Sequence, residues 1–215
     1  MNKLGGLAKT SEGDKMNFLD EKFIIENKKV LNDTALKIID SFHRLILEED
    51  YKRLTVSEIC EAAQVSRKTF YKYFKDKNDI VEQILIKDIL IPMNKLRELY
   101  INMDLPTGMI LEWQYHQFYN ERKFYKRISA FTGQNSFYEF ILNHMSLIIS
   151  DKLKPLHLPE VEHEYMTYFY ASSHTMLLVK WIQDGMIIPP KQIASYYEKW
   201  TIPIFMNYEN TAGNK

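Results

Sequence analysis

The sequence predicts an all-α protein, with an N-terminal unit of three short helices followed by a larger helical region. Three observations carry this. Apolar residues recur at helical spacing along most of the chain. Residues that start helices stand just ahead of several of those stretches. Only 7 Gly and 7 Pro punctuate 215 residues, too few turn signals for a strand-rich protein.

Residues 1–27 hold Gly5, Gly6 and Gly13 and no steady period, which predicts a mobile tail; Phe18, Phe23, Ile24 and Ile25 are the residues that would dock part of it. The first helix follows, with Ala35, Ile38, Ile39, Phe42, Leu45 and Ile46 on one face and Asp33 as the expected N-cap. Thr55 and Glu58 have the spacing of a capping box and open a second helix, in which Val56, Ile59, Cys60 and Ala63 are the buried stripe. That helix stops near Ala63, and Ser66 caps a third, with Val65 and Phe70 placed as a hydrophobic staple. Phe70 and Phe74 face inward, while Lys68, Tyr71, Lys72 and Lys75 form the outward stripe. Asp76 caps a fourth helix running to about Ile91, where Pro92 is expected to kink or end it. Further helices are expected over 107–119, 121–131, 135–153, 160–184 and 190–208.

The formal net charge is zero, but it is unevenly spread. Between Gln64 and Lys77 stand Arg67, Lys68, Lys72, Lys75 and Lys77 against the single acid Asp76, whereas the chain beyond Val81 is nearly balanced. A compact basic patch on two short helices joined by a tight turn describes a helix-turn-helix, whose second helix is narrow enough to enter the major groove of DNA. Arg67 and Lys68 lie at its N-terminal end, where side chains meet base edges, and Arg67 is able to grip a guanine with two hydrogen bonds. Tyr71 and Tyr73 offer hydroxyls to phosphate, Lys72 adds charge, and Thr55 and Ser57 begin the preceding helix, whose free amides also suit a phosphate.

At these residues the chain resembles the TetR (tetracycline-repressor-type) family. The resemblance runs from Thr34 to about Leu85 and is densest from Leu54 to Lys77. Its specific part is Thr55-x-x-x-Ile59 followed by Val65-Ser66-x-x-Thr69-Phe70-Tyr71-x-Tyr73-Phe74-x-x-Lys77. The resemblance implies that Thr69, Tyr71, Tyr73 and Lys77 contact operator DNA, with Thr55 and Ser57 adding contacts. It also implies a C-terminal dimer interface and ligand cavity. One departure is Gln64, where the family usually has Gly in the turn. The run from Tyr168 to Met186 resembles the penultimate helix of a subgroup found beside dihydroxyacetone kinase genes. The expected organisation is a tail over 1–27, a helix-turn-helix DNA-binding domain over 28–80 and a helical effector-binding and dimerisation domain over 81–215.

In that last region Tyr115, Phe118, Tyr119 and Phe137 are candidates to line a small-molecule pocket, together with Met145, Met166, Phe169 and His174. A stripe of Met and aromatic residues is more often plain core. Trp181, Ile193, Tyr197 and Trp200 would be costly to leave in water, so a second copy of the chain is their expected cover.

Several function classes are set aside. There is no phosphate-cradling Gly loop, nucleophile elbow, HExxH or paired cysteine, so no enzyme and no cofactor is expected. The lone Cys60 fits a reducing cytoplasm, and residues 1–27 lack the apolar segment of a signal peptide. No apolar run spans a membrane. His157, Glu160, His163 and Glu164, or the pair Glu112 and His116, have spacings that suit Zn²⁺ but are more often exposed polar residues, so no metal is assigned. The expected function is a ligand-responsive repressor; a metal-responsive regulator and a ligand-independent coactivator remain alternatives.

Overall fold

The computed structural model describes residues 28–29, 31–100, 107–130 and 136–212. The expected tail, and the breaks at Leu105–Pro106 and Gly133, lie outside these residues. The described chain is helical, with no strand.

The N-terminal unit is built from α1 (Asp33–Glu48), α2 (Val56–Ala62), α3 (Arg67–Tyr73) and α4 (Lys77–Leu85). Asn32 rather than Asp33 is the N-cap of α1, its side chain accepting from the Ala35 amide at 3.0 Å. Asp33 stands in the first turn instead, where the helix dipole favours an acid. Ala35, Ile38, Ile39, Phe42 and Ile46 are buried along one face of α1, against which α2, α3 and α4 pack. The capping box of α2 is complete: Glu58 N donates to Thr55 Oγ1, and Thr55 N donates to Glu58 Oε2 at 2.7 Å.

The turn between α2 and α3 has a defined construction. Gln64 adopts a left-handed φ of 52°. The Val65 amide donates back to Cys60 O, and the Gln64 amide to Glu61 O, each at 3.0 Å. These two bonds are the Schellman closure that satisfies the last carbonyls of α2. Ser66 then caps α3 by accepting from Thr69 N at 3.0 Å. Asp76 caps α4 through Asp79 N at 2.9 Å.

Pro92 neither ends nor visibly breaks the fourth helix. A π-helical turn over Ile86–Leu90 carries α4 directly into α5 (Ile91–Tyr100). Proline has no N–H, and its ring collides with the carbonyl four residues back in a regular α-helix. Widening the turn just ahead of Pro92 absorbs that collision.

The rest of the molecule comprises α6 (Thr107–Asn120), α7 (Arg122–Ile128), α8 (Phe137–Leu153), a 3₁₀ turn (Lys154–Leu156), α9 (Glu160–Gln183) and α10 (Pro190–Ala212). The two main pairings are α8 with α9 and α6 with α10. The junction with the N-terminal unit is α1 on α7 and α4 on α8. Phe42 of α1 meets Phe124 of α7 edge-on, and His43 stacks on the same ring at 4.6 Å. Arg127 Nη1 donates to Glu49 O, and His43 Nε2 lies 3.4 Å from Glu121 Oε2, so both apolar and polar contacts cross the junction.

Candidate nucleic-acid interface

Helix α3 has only seven residues, and tertiary contacts rather than length hold it. Phe70 and Phe74 are fully buried beneath it. That fixes its rotation, because residues at i, i+3 and i+4 share a face. Arg67, Lys68, Tyr71, Lys72 and Lys75 are consequently exposed. Tyr71, at 51% exposure, has an aromatic ring in water without being part of the core. The Arg67 guanidinium rests 6.0 Å above that ring and Nη2 lies 3.5 Å from its hydroxyl, so the two side chains project as one unit. Lys72 lies over the Tyr73 ring at 5.6 Å.

Other expected residues are placed differently. Tyr73 is half-buried, and its hydroxyl accepts from Asn32 Nδ2 at 2.9 Å. Thr69 is half-buried with its hydroxyl 2.9 Å from that of Ser66, while Ser66 and Ser57 are exposed. Thr55 is exposed, but its hydroxyl is engaged with Glu58. That hydrogen bond holds the Glu58 carboxyl below its ordinary pKa, so it is ionised and keeps the cap closed.

Lys77 turns inward. Its ammonium donates to Tyr51 O at 2.6 Å, Leu54 O at 2.9 Å and Lys52 O at 3.3 Å, and sits 4.7 Å from the Tyr51 ring centre. Partial burial lowers its pKa, against the pull of Asp50, Asp76 and Glu58. Its place is therefore as a clamp on the loop between α1 and α2, not as an outward cation.

Two positioning residues, Lys29 and the first-turn acid Asp79 of α4, lie outside the expected contact set. Lys29 donates to Tyr73 O at 2.7 Å and pairs with Asp79, tying the segment before α1 to the end of α3. Buried Asp79 also accepts from Lys75 N at 2.7 Å. Lys29, Tyr71, Lys72, Tyr73, Phe74 and Lys75 together line a surface groove of about 510 Å³. The arrangement offers exposed cations and a phenol, groups that hold phosphate oxygens.

In the C-terminal region the eight pocket candidates do not share one environment. Tyr115, Phe118, Phe137, Met145 and His174 are buried, and Tyr119 and Met166 are partly buried. Phe169 is 60% exposed and lines no interior. Phe118 and Phe137 belong to a ring cluster with Tyr125 at the base of the domain, near Phe124. Tyr115 instead lies by His174, 6.3 Å away, and by Trp181. The candidates for the dimer face also separate. Trp181, Ile193 and Tyr197 are buried within the single chain, and Trp181 Nε1 donates to Ile188 O at 2.8 Å. Trp200 is 54% exposed and stacks on Tyr196. The uncovered apolar stripe is elsewhere on α9, at Val161, Tyr165, Tyr168, Phe169 and Met176.

Among the described residues no cluster of three or more His, Cys, Asp or Glu side chains gathers in a way that would hold a metal ion. His163 Nε2 is 3.0 Å from Ser150 O, and Glu112 and His116 are a surface pair 3.9 Å apart. No helix among the described residues is long and apolar enough to cross a membrane.

Comparison with known proteins agrees with this geometry. Residues 38–84 match the family model for bacterial regulatory proteins of the tetR family, and residues 109–201 match a TetR model for a transcriptional regulator C-terminal region. An uncharacterized HTH-type transcriptional regulator, YvkB of Bacillus subtilis (strain 168), is 34% identical over 55 residues, which span 26% of this chain and 29% of that protein. Three solved structures share the fold. The dihydroxyacetone kinase operon activator DhaS is 20% identical with a TM-score of 0.55, over 78% of this chain and 93% of that one. A TetR-family transcriptional regulator from Syntrophomonas wolfei str. Goettingen is 17% identical at 0.58, over 84% and 95%. A TetR transcriptional regulator from Streptococcus agalactiae 2603V is 19% identical at 0.51, over 85% and 97%.

Proposed function

Because the chain belongs to the TetR family of DNA-binding transcriptional regulators, we propose that it is a cytoplasmic, homodimeric, ligand-responsive repressor that reads a palindromic operator with α3. The observation that carries the reading is the two-sidedness of α3: Phe70 and Phe74 lock one face into the core, and Arg67, Lys68, Tyr71 and Lys72 stand free on the other. Arg67 and Lys68 read base edges, while Tyr71, Lys72, Ser57 and the amides opening α2 hold phosphates. Thr55, Ser66, Thr69, Tyr73 and Lys77 support the interface by fixing backbone rather than by offering a free group. The apolar stripe of α9 favours a second copy of the chain as partner, since a closed two-fold interface covers it on both. The subgroup likeness of Tyr168–Met186 is part of the same reading, and the fold of the operon activator DhaS is consistent with it.

The test is operator binding by fluorescence anisotropy across a salt series. Arg67→Ala is expected to cost about 1–3 kcal/mol per half-site and to relax preference at one base pair in each. Lys72→Ala is expected to weaken all sequences alike and, with two copies per dimer, to flatten the salt slope by about 1.8. Unchanged binding in both variants would remove α3 from the interface.

A further inference from the structure

The inward turn of Lys77 leaves the C-terminal end of the DNA-facing helix without the cation that the sequence motif supplies there. Lys77 is committed to the carbonyls of Tyr51, Lys52 and Leu54. Lys75, two residues earlier, is exposed and lines the groove of about 510 Å³ beside α3, with Tyr71 and Lys72. Its ammonium makes no hydrogen bond or ion pair with any described residue.

The acids around Lys75 are turned to other partners. Asp76 accepts from Asp79 N at 2.9 Å, and Asp79 accepts from Lys75 N at 2.7 Å and pairs with Lys29. Half-buried Glu82 is within electrostatic reach of Lys75 but forms no ion pair with it. The side chain is thus free while its backbone is held. Phe74 ends α3 with an extended backbone, and the buried Asp79 carboxylate pins the amide that follows. Lys29 braces that carboxylate, and its own amide donates to Gln83 Oε1 at 2.9 Å. A cation on a fixed backbone loses less freedom when it meets an anion.

The length of α3 decides which anion. Its seven residues, at about 1.5 Å each, make a helix roughly 10 Å long. The major groove is about 12 Å wide. With Arg67 and Lys68 at base edges, the other end of α3 therefore arrives at the wall of the groove, which is sugar and phosphate.

We propose that Lys75 holds a DNA phosphate at the C-terminal end of α3, next to the one held by Lys72, and takes there the place that Lys77 leaves. Lys29 and Asp79 are its positioning residues. The proposal rests on the reading that α3 enters the major groove, and it adds a contact to that interface.

The experiment measures binding by fluorescence anisotropy across a salt series, for the full chain with two labelled duplexes: the one that wild-type protein selects from a random pool, and an unselected one. Lys75→Ala is expected to weaken both by the same factor, about tenfold or more, and to flatten the salt slope by about 1.8, from two copies per dimer. Lys75→Arg is expected to keep the wild-type slope. The urea midpoint is expected to be unchanged in both variants, since the ammonium has no partner within the protein. An unchanged slope in Lys75→Ala, an equal loss in Lys75→Arg, or a lowered urea midpoint in Lys75→Ala overturns the proposal. Arg67→Ala is measured alongside. If it loses preference for the selected duplex while Lys75→Ala keeps its slope, the Lys75 contact falls and the α3 reading stands. If neither variant changes binding, both fall.

Discussion

Lys77 reaches back 26 residues to hold Tyr51: its ammonium is 2.6 Å from the Tyr51 carbonyl and lies over the ring of the same residue. Tyr51 in turn packs edge-on against Phe42 and donates its hydroxyl to Asn78. A cation at the start of α4 thereby fixes the loop that delivers α2 to α3. Lys77→Ala is expected to lower stability by about 1–3 kcal/mol, because three carbonyls lose a charged donor. Urea unfolding measures this. The salt slope of operator binding is expected to stay unchanged; a fall of about 1.8, from two copies per dimer, would show that Lys77 meets a phosphate after all.

Gln64 provides the second prediction. Its left-handed backbone closes α2, and a side chain in that region carries a steric cost that glycine avoids. Gln64→Gly is expected to gain about 0.5–1 kcal/mol, the relief being partly offset by the greater freedom of glycine in the unfolded chain. A higher urea midpoint with an unchanged slope would confirm it, and a lower midpoint would show that the turn is not strained.

The third prediction concerns assembly. Phe169→Glu and Met176→Glu place charge on the exposed stripe of α9 without touching the protomer core. Light scattering at micromolar concentration is expected to give a dimer for wild type and a monomer for the double variant, with helical content retained. A wild-type monomer, or a double variant that remains dimeric, would exclude this face.

His174 makes stability depend on pH. Its folded pKa of about 4 lies below the ordinary histidine value of 6.5. Between those values the unfolded chain binds a proton that the folded one refuses, so stability falls as pH drops from 6.5 toward 4. The loss attributable to this residue is about 3 kcal/mol over that window. His174→Gln is expected to flatten the pH dependence of unfolding by that order. An equally steep dependence in the variant would assign it to the carboxylates.

What the sequence by itself determined is the local punctuation of the DNA-binding unit. The capping box of Thr55 and Glu58, the caps at Ser66 and Asp76, and the inward pair Phe70 and Phe74 were all legible, because each depends on residues within one or two turns of one another. The family motif spans the same stretch, since two short helices in fixed register leave little freedom. What only the tertiary structure decided is the direction of side chains with more than one physically sensible home. Lys77 was equally suited to a phosphate or to three carbonyls, and the position of Tyr51 settled it. Helix α9 is apolar on several faces; Trp181 is buried against Tyr115 of α6 while Phe169 and Met176 stay outside, the reverse of what composition suggests for the largest ring. Pro92 predicts a break, but the π turn ahead of it keeps the helix continuous. Caps obey hydrogen bonds only a few residues long, whereas facing and burial are settled by contacts between segments far apart in the chain.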